Sequence, residues 1–286
     1  MVHSGEILRT LIEINGTVCV AYHKTNFDIY DFDFRQYFET KPVITNTTLP
    51  VVLRIGAISA YENLANALME LDLRLVNSVR QHSMASLLPN WYPKIKEFTA
   101  RSVWYDTLPT AEAILAEFTF PVFIKGERQT NRHNQAMSIA NNLAELENIL
   151  NYWKQDNVLG WQRLICRDFI KLEKIAERVG DKIQPSKEFR IFLWKNRAVG
   201  VGHYWTEFEK VELTVNERSH IIKLAEEISK MVDVPFLVVD MAKKEDGDWI
   251  VIELNDAQES GYAGVNKLQL WQRIVDIEDG KDNVKP

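Results

Sequence analysis

The apolar positions of this chain change period several times, and each change marks an element. Val51-Val-Leu-Arg-Ile55 is a short, nearly continuous apolar run and reads as a buried strand. Past Gly56, the positions Leu64, Ala65, Leu68 and Leu71 recur at helical spacing, which predicts a helix from Tyr61 to Leu71. Leu73–Val76 is a further short strand, and residues 14–23 form another that follows an Asn15-Gly16 turn. This strand–Gly loop–helix–strand order predicts a small α/β domain with parallel strands over residues 1–88. The segment Leu88-Pro-Asn-Trp-Tyr-Pro93 then reads as a boundary.

Beyond it the pattern predicts a short helix (Thr110–Glu117), a strand (Pro121–Lys125) and a polar loop (Gly126–His133). An amphipathic helix (Leu143–Trp153) and strands Arg163–Phe169, Glu188–Trp194 and Ala198–Trp205 follow, the last two joined by a turn at Lys195-Asn196. A helix over about Asn216–Met231 precedes two β-branched runs, and a last helix covers about Val265–Asp276. The tail from Glu278 to Pro286 is polar.

The two β-branched runs, Phe236–Asp240 and Trp249–Asn255, flank Asp246-Gly247 and predict a hairpin. With Asp246 and Gly247 as a two-residue turn, Glu245 pairs with Asp248, and Asp240 falls opposite Glu253. Asn255 shares that face, because strand side chains alternate with a period of two. Two facing carboxylates repel. A hard cation between them relieves this, and Asp, Glu and Asn offer the oxygen ligands that suit Mg²⁺. Removing either carboxylate is then expected to leave the fold intact or to stabilise it. The alternative is an edge hairpin with solvated carboxylates.

Composition narrows the class. With 46% hydrophobic and 26% charged residues the 286-residue chain is ordinary for a globular protein, and its net charge of −6 argues against a nucleic-acid or membrane-surface partner. Cys19 and Cys166 make neither a disulfide framework nor a zinc site. The start, Met1-Val-His-Ser-Gly-Glu, lacks the basic and apolar regions of a signal peptide, and no apolar run reaches spanning length, so a reducing cytoplasm is the expected location. The six histidines, among them His3 and His23, have no metal spacing. No Walker A sequence, no Gly-x-Gly-x-x-Gly and no Gly-x-Ser-x-Gly is present.

A strand ending in Lys125, a loop and helix, a hinge strand, Glu188-Phe-Arg190, a helix, a strand ending in Asp240 and a strand ending in Glu253-Leu-Asn255 follow one another in an order that resembles the ATP-grasp superfamily. The resemblance covers about residues 90–275. The stretches around Asp240 and from Glu253 to Gly261 look most like a clade of bacterial and phage ATP-grasp proteins. It implies an α+β fold of two β-rich lobes that clasp ATP, a small lobe at 89–170 and a large lobe at 171–277, preceded by the α/β domain.

The resemblance also implies site roles. Asp240, Glu253 and Asn255 fall where Mg²⁺ ligands fall. Lys125 matches a lysine that reaches the α- and β-phosphates, and as a strand-end lysine it is expected to contribute little to the nucleotide-free fold. Glu188 matches a ribose contact, with Glu173 as the alternative because a small insertion, Lys171–Val179, follows the hinge. Arg190 would face the phosphates. Asp168 and Ile170 mark backbone contacts to adenine in the hinge. A second phosphate lysine has no clear equivalent among Lys94, Lys96 and Arg101, and Arg101 is taken as its replacement. Arg128, Arg132 and His133 in the polar loop are candidates for phosphate or acidic substrate. Arg54 and the Gly56 loop would complete the substrate side. Members of the superfamily are typically carboxylate–amine ligases that use ATP and one or two Mg²⁺ ions. The expected partners are therefore small-molecule or peptide carboxylates and amines, with a homodimer left open. The rival readings are a non-catalytic nucleotide-binding module and a kinase that stops at phosphotransfer.

Overall fold

The computed structural model describes residues 11–22, 32–43, 48–55, 60–128, 134–156, 159–177, 180 and 182–281. The Gly56 loop, Arg132, His133, His3, His23 and residues 282–286 of the tail lie outside the described residues.

Asn15 and Gly16 both have positive φ (47° and 73°), the geometry that lets a tight turn join β1 (Leu11–Ile14) to β2 (Val18–Tyr22) as an antiparallel hairpin. With β3 (Thr40–Pro42), β4 (Leu49–Arg54) and β5 (Leu73–Leu75) they form a sheet in the order β3-β1-β2-β4-β5. The strands β2, β4 and β5 run parallel, as the sequence pattern implies, whereas β1 and β3 are antiparallel, so the sheet is mixed. Helix α1 (Tyr61–Met69) makes the crossover from β4 to β5 and buries Tyr61, Leu64 and Leu68.

Helix α2 (Val79–Ser86) starts at a capping box made by Ser78 and Gln81. The expected boundary at 88–93 is instead helix α3 (Leu88–Ile95). Pro89 sits in its first turn, where a missing N–H costs nothing, and Trp91 is buried in the core below. A proline-rich string is therefore a packed element here and not a linker.

The next sheet has the order β6-β9-β7-β8, from β6 (Ser102–Tyr105), β7 (Val122–Gly126), β8 (Ile139–Ala140) and β9 (Leu164–Asp168). Helices α4 (Ala111–Leu115) and α5 (Leu143–Trp153) cover one face, burying Ile114, Leu146, Ile149 and Trp153 against Val122, Ile124, Leu164 and Cys166.

The third sheet is antiparallel throughout, in the order β11-β10-β12-β13, from β10 (Glu188–Trp194), β11 (Arg197–His203), β12 (Phe236–Lys243) and β13 (Trp249–Asp256). Period-two alternation gives it two faces. Phe189, Ile191, Leu237, Val239 and Met241 pack with α3 and with α6 (Val215–Val232). Phe192, Trp194, Phe236 and Val238 pack with α7 (Lys267–Glu278) and with Ile12, Val20 and Val52 of the first sheet. Further along this second face the apolar residues give way to Glu188, Arg190, Asp240 and Glu253.

The hairpin differs from the expected one in two places. Lys244 N donates to Asp248 O, so the loop is the three residues Glu245-Asp246-Gly247, with Gly247 at φ +99°. The ladder pairs Lys243 with Trp249, Ala242 with Ile250 and Met241 with Val251, then shifts by one so that Asp240 faces Glu253. Ile252 is the extra residue of a β-bulge. The longer loop and the bulge shift the register in opposite senses, which is why simple counting still reaches the observed pair.

The segment after β9 is a strap. Leu172 bridges Lys244 and Lys174 bridges Ser186, with Glu173 N donating to Lys243 O and Glu245 N to Lys171 O. Three sheets with helices packed on them give the α+β class. Among the described residues no helix is long and apolar enough to cross a membrane.

Candidate functional site

A cavity of about 610 Å³ opens between the β6-β9-β7-β8 sheet and the charged end of the third sheet. Phe123, Ile139, Ile170, Leu172 and Ile250 give it an apolar wall, and Lys125, Glu188, Asp240 and Glu253 give it a charged end. An apolar pocket with a few converging polar groups is the usual form of a small-molecule site.

The charged end is a set of paired ions. Arg190 Nε and Nη2 donate to Asp240 Oδ1 and Oδ2 at 2.8 and 2.7 Å, a two-pronged pairing that fixes both planes. Arg190 Nη1 donates to the Gly261 carbonyl at 2.8 Å, and the guanidinium lies over the Tyr204 ring at 5.0 Å. Lys125 is 3% exposed and its ammonium is ion-paired with Glu253 Oε1. Asn255 Nδ2 approaches Glu253 Oε2 at 3.4 Å.

Burial and these pairs set the protonation states. Burial raises the Asp240 carboxyl above its ordinary value, and the Arg190 charge offsets this only in part. Burial also acts against the charged Glu253, yet the Lys125 charge and hydrogen bond outweigh it and hold Glu253 below the usual carboxylate range. Burial acts against the Arg190 charge, but Asp240 reverses the shift and keeps Arg190 above its ordinary value. Glu188 is pushed up to about 8 by burial and then by the Asp240 charge, and it accepts from Trp205 Nε1 at 3.1 Å.

The raised Glu188 carboxyl makes stability depend on pH. The unfolded chain ionises this group at about 4.3 and the folded chain only at about 8, so the folded state binds the extra proton between these values. The contribution is fully present below the unfolded pKa and is lost as pH rises through about 8. Glu188→Gln is therefore expected to melt as wild type does at about pH 5 and a few degrees higher at about pH 9. Scanning calorimetry at the two pH values checks this. A variant no more stable than wild type at the higher pH would place the ionised Glu188 in a solvated environment.

Of the residues singled out in the sequence, Lys125, Asp168, Ile170, Glu188, Asp240 and Glu253 line this one cavity. Arg190 and Asn255 adjoin it through Asp240 and Glu253. Arg101 is not part of it. It is partly exposed, pairs with Glu117 at 2.7 Å, reaches Asp168 only at 3.8 Å, and lies over Phe118. Glu173 is also elsewhere, near Lys187 and Lys243 at 3.8 and 3.4 Å. Arg128 pairs with Glu259. Arg54 is buried, donates to the Ala257, Gln258 and Ser260 carbonyls, and so ties the first sheet to the loop after β13.

Arg167, Tyr204 and Trp205 also line the cavity, and sequence reasoning missed them. For Arg167 a signal existed. Leu164 and Cys166 face the helices, so Arg167 shares the opposite face with the buried Ile165, where a charge is out of pattern.

The donor set fits a cation shared with a ligand better than a dedicated metal cage. Among the described residues no group of three or more His, Cys, Asp or Glu is arranged to hold a metal ion. Asp240, Glu253 and Asn255 offer two carboxylates and one amide as hard oxygen donors on adjacent strands. Mg²⁺ is commonly held by one or two carboxylates together with substrate phosphates. Lys125 and Arg190 occupy the same carboxylates, so a bound cation exchanges places with them.

An antiparallel sheet carrying the charged residues, a second sheet with a strand-end lysine, and a cavity between the two define an ATP-grasp fold. The profile of an ATP-grasp domain family, the third family of its clade, matches residues 108–274, more than half of the chain, and the chain belongs to this family. Solved structures share the fold at low identity. A RimK domain protein ATP-grasp from Sphaerobacter thermophilus is similar with a TM-score of 0.53 and 14% identity, over 80% of this chain and 78% of that one. D-alanine–D-alanine ligase from Bacillus anthracis, complexed with ATP, gives 0.54 and 15%, over 81% and 78%. The ATP-grasp ligase PsnB, complexed with a phosphomimetic variant of its minimal precursor, Mg and ADP, gives 0.53 and 11%, over 84% and 80%. No curated protein matches the chain in sequence.

Proposed function

We propose that this protein is an ATP- and Mg²⁺-dependent ligase that activates a carboxylate as an acylphosphate for attack by an amine. The observation that carries this reading is the opposition of Asp240 and Glu253 at the charged end of the cavity, each neutralised by a cationic side chain, Arg190 and Lys125. Such a set is matched to a ligand that brings its own negative charge and a divalent cation. The ATP, the Mg with ADP and the precursor named for the similar structures support the same direction.

In this reading the apolar wall takes the base, with Asp168 and Ile170 offering backbone contacts and Glu188 facing the ribose. Asp240, Glu253 and Asn255 would hold Mg²⁺, which supplies positive charge that offsets the phosphates. Lys125 gives a compact point charge, and Arg190 a planar fork that binds two oxygens at once. Both are already buried and oriented, so they stabilise charge on a transferred phosphoryl group with little reorganisation. No protein nucleophile is needed, and the protonated Glu188 adds no repulsion toward phosphate. We assign residues 1–88 to a substrate-side domain, 89–170 to the small lobe and 171–277 to the large lobe. The acceptor is a small-molecule or peptide carboxylate near Arg190 and the loop after β13.

Incubation with ATP, Mg²⁺ and pools of amino acids or peptides tests the reading. A ligase releases ADP and phosphate only when carboxylate and amine are both present. Phosphate retained on the product would indicate a kinase, and no ADP in any pool would leave a binding module.

A further inference from the structure

We propose that Arg167 is a positioning residue that holds the β13 bulge and so turns Glu253 toward Asp240; this rests on the metal role proposed above for Glu253. The starting point is the register. Up to Met241–Val251 the β12–β13 ladder runs without interruption, and continued unchanged it would set Asp240 opposite Ile252. A one-residue slip moves every following side chain to the other face. Glu253 would then point, with Val251, Val239 and Met241, into the apolar core under α6. The extra residue at Ile252 restores the pairing, so that Glu253 faces Asp240 while Leu254 takes the core face.

A bulge at a sheet edge needs partners for its displaced backbone groups, and here they come from the other sheet. β13 is the outer strand of its sheet, and Thr99 forms a parallel bridge with Val251. Arg167 Nη1 donates to the Ile252 carbonyl at 2.8 Å. Its Nη2 donates to Thr99 Oγ1 at 2.6 Å, and that hydroxyl donates in turn to the Val251 carbonyl at 2.8 Å. Nε donates to Ser102 Oγ at 3.1 Å, which fixes the guanidinium plane. All three guanidinium nitrogens are thus used, and two successive carbonyls at the bulge are satisfied by one buried side chain and its hydroxyl partner. Arg167 is 5% exposed, and these hydrogen bonds all go to hydroxyl or carbonyl oxygens. Its place in β9, beside the hinge residue Asp168, couples the wall that would hold the base to the strand that would hold the cation.

The test uses the full chain with Thr99→Val, Arg167→Met and Arg167→Lys. The quantity read is the ratio of ATP affinity with Mg²⁺ to ATP affinity with chelator, by calorimetry. Arg167→Met is expected to lower this ratio about tenfold, the usual loss when a group orienting a metal ligand is removed. Thr99→Val, which keeps shape and lies off the cavity lining, is expected to lower the ratio by less and to leave chelator-state affinity near wild type. Arg167→Lys, which can reach a single carbonyl, should recover part of the loss. Deleting Ile252 gives a bulge-free hairpin in which Glu253 falls opposite Asp240 by alternation alone, and in that background Arg167→Met should no longer change the ratio. Equal losses with and without Mg²⁺ in Thr99→Val and Arg167→Met would overturn the proposal and leave Arg167 a packing residue. If wild-type ATP affinity does not respond to Mg²⁺, the metal reading fails. The positioning claim then stands or falls on a nucleotide-free crystal structure of Arg167→Met, where a retained bulge with Glu253 facing Asp240 overturns it.

Discussion

Asp240→Asn and Glu253→Gln are each expected to abolish Mg²⁺-supported ATP turnover and, against the expectation from sequence, to lower the melting temperature of the nucleotide-free protein. The sequence shows two facing carboxylates and suggests repulsion that either substitution would relieve. The structure places a cation on each. Arg190 grips both oxygens of Asp240, and Lys125 is buried against Glu253. Neutralising Asp240 therefore leaves the buried guanidinium without its counter-ion, and breaking a buried pair by removing one partner costs roughly 3–5 kcal/mol. Glu253 is more open, with a side chain 24% exposed, and its removal is expected to cost less than that of Asp240. Differential scanning fluorimetry without nucleotide ranks the two variants, and an ADP-release assay reads turnover. A nucleotide-free Asp240→Asn protein as stable as wild type would show that Arg190 does not depend on this carboxylate.

This reversal shows which parts of the site a sequence can carry. The strand ends bearing Lys125, Asp168, Arg190, Asp240 and Glu253 are fixed by local patterns, and the pattern places them within a few residues of the observed strand limits. Their pairings are not local. Lys125 and Glu253 are 128 residues apart, and nothing in either segment says that one neutralises the other. The hairpin is legible for a weaker reason. The Asp246-Gly247 signal predicts the turn but not its length, and the groups of Arg167 and Thr99 that satisfy the bulge carbonyls come from outside the hairpin, so the bulge has no signature in β13 itself. The segment 88–93 reads as a boundary because proline breaks helices on average, whereas its cost vanishes in a first helical turn. Arg101 has the charge and the position along the chain for a phosphate contact, but the nearby Glu117 claims it.

Lys125→Ala is expected to reduce both ATP affinity and nucleotide-free stability, and the double variant Lys125→Ala/Glu253→Gln to recover the stability without the affinity. A solvated strand-end lysine would affect only binding. Lys125 is instead 3% exposed and is the ion-pair partner that holds Glu253 below the usual carboxylate range. Without it Glu253 is an anion near Asp240 with reduced compensation, and like charges facing each other across a sheet destabilise it. Removing the second charge as well leaves neutral groups, and replacing both members of a buried pair is often close to neutral in stability. The non-additivity should be on the order of 1–3 kcal/mol, as for residues in direct contact. Urea melts of the four proteins give this coupling, and calorimetric titration with Mg²⁺ and ATP gives the affinities. Additive losses in the melts would mean that the ion pair contributes nothing to the folded state. Recovered ATP affinity in the double variant would mean that Lys125 serves only to silence Glu253 and does not meet phosphate.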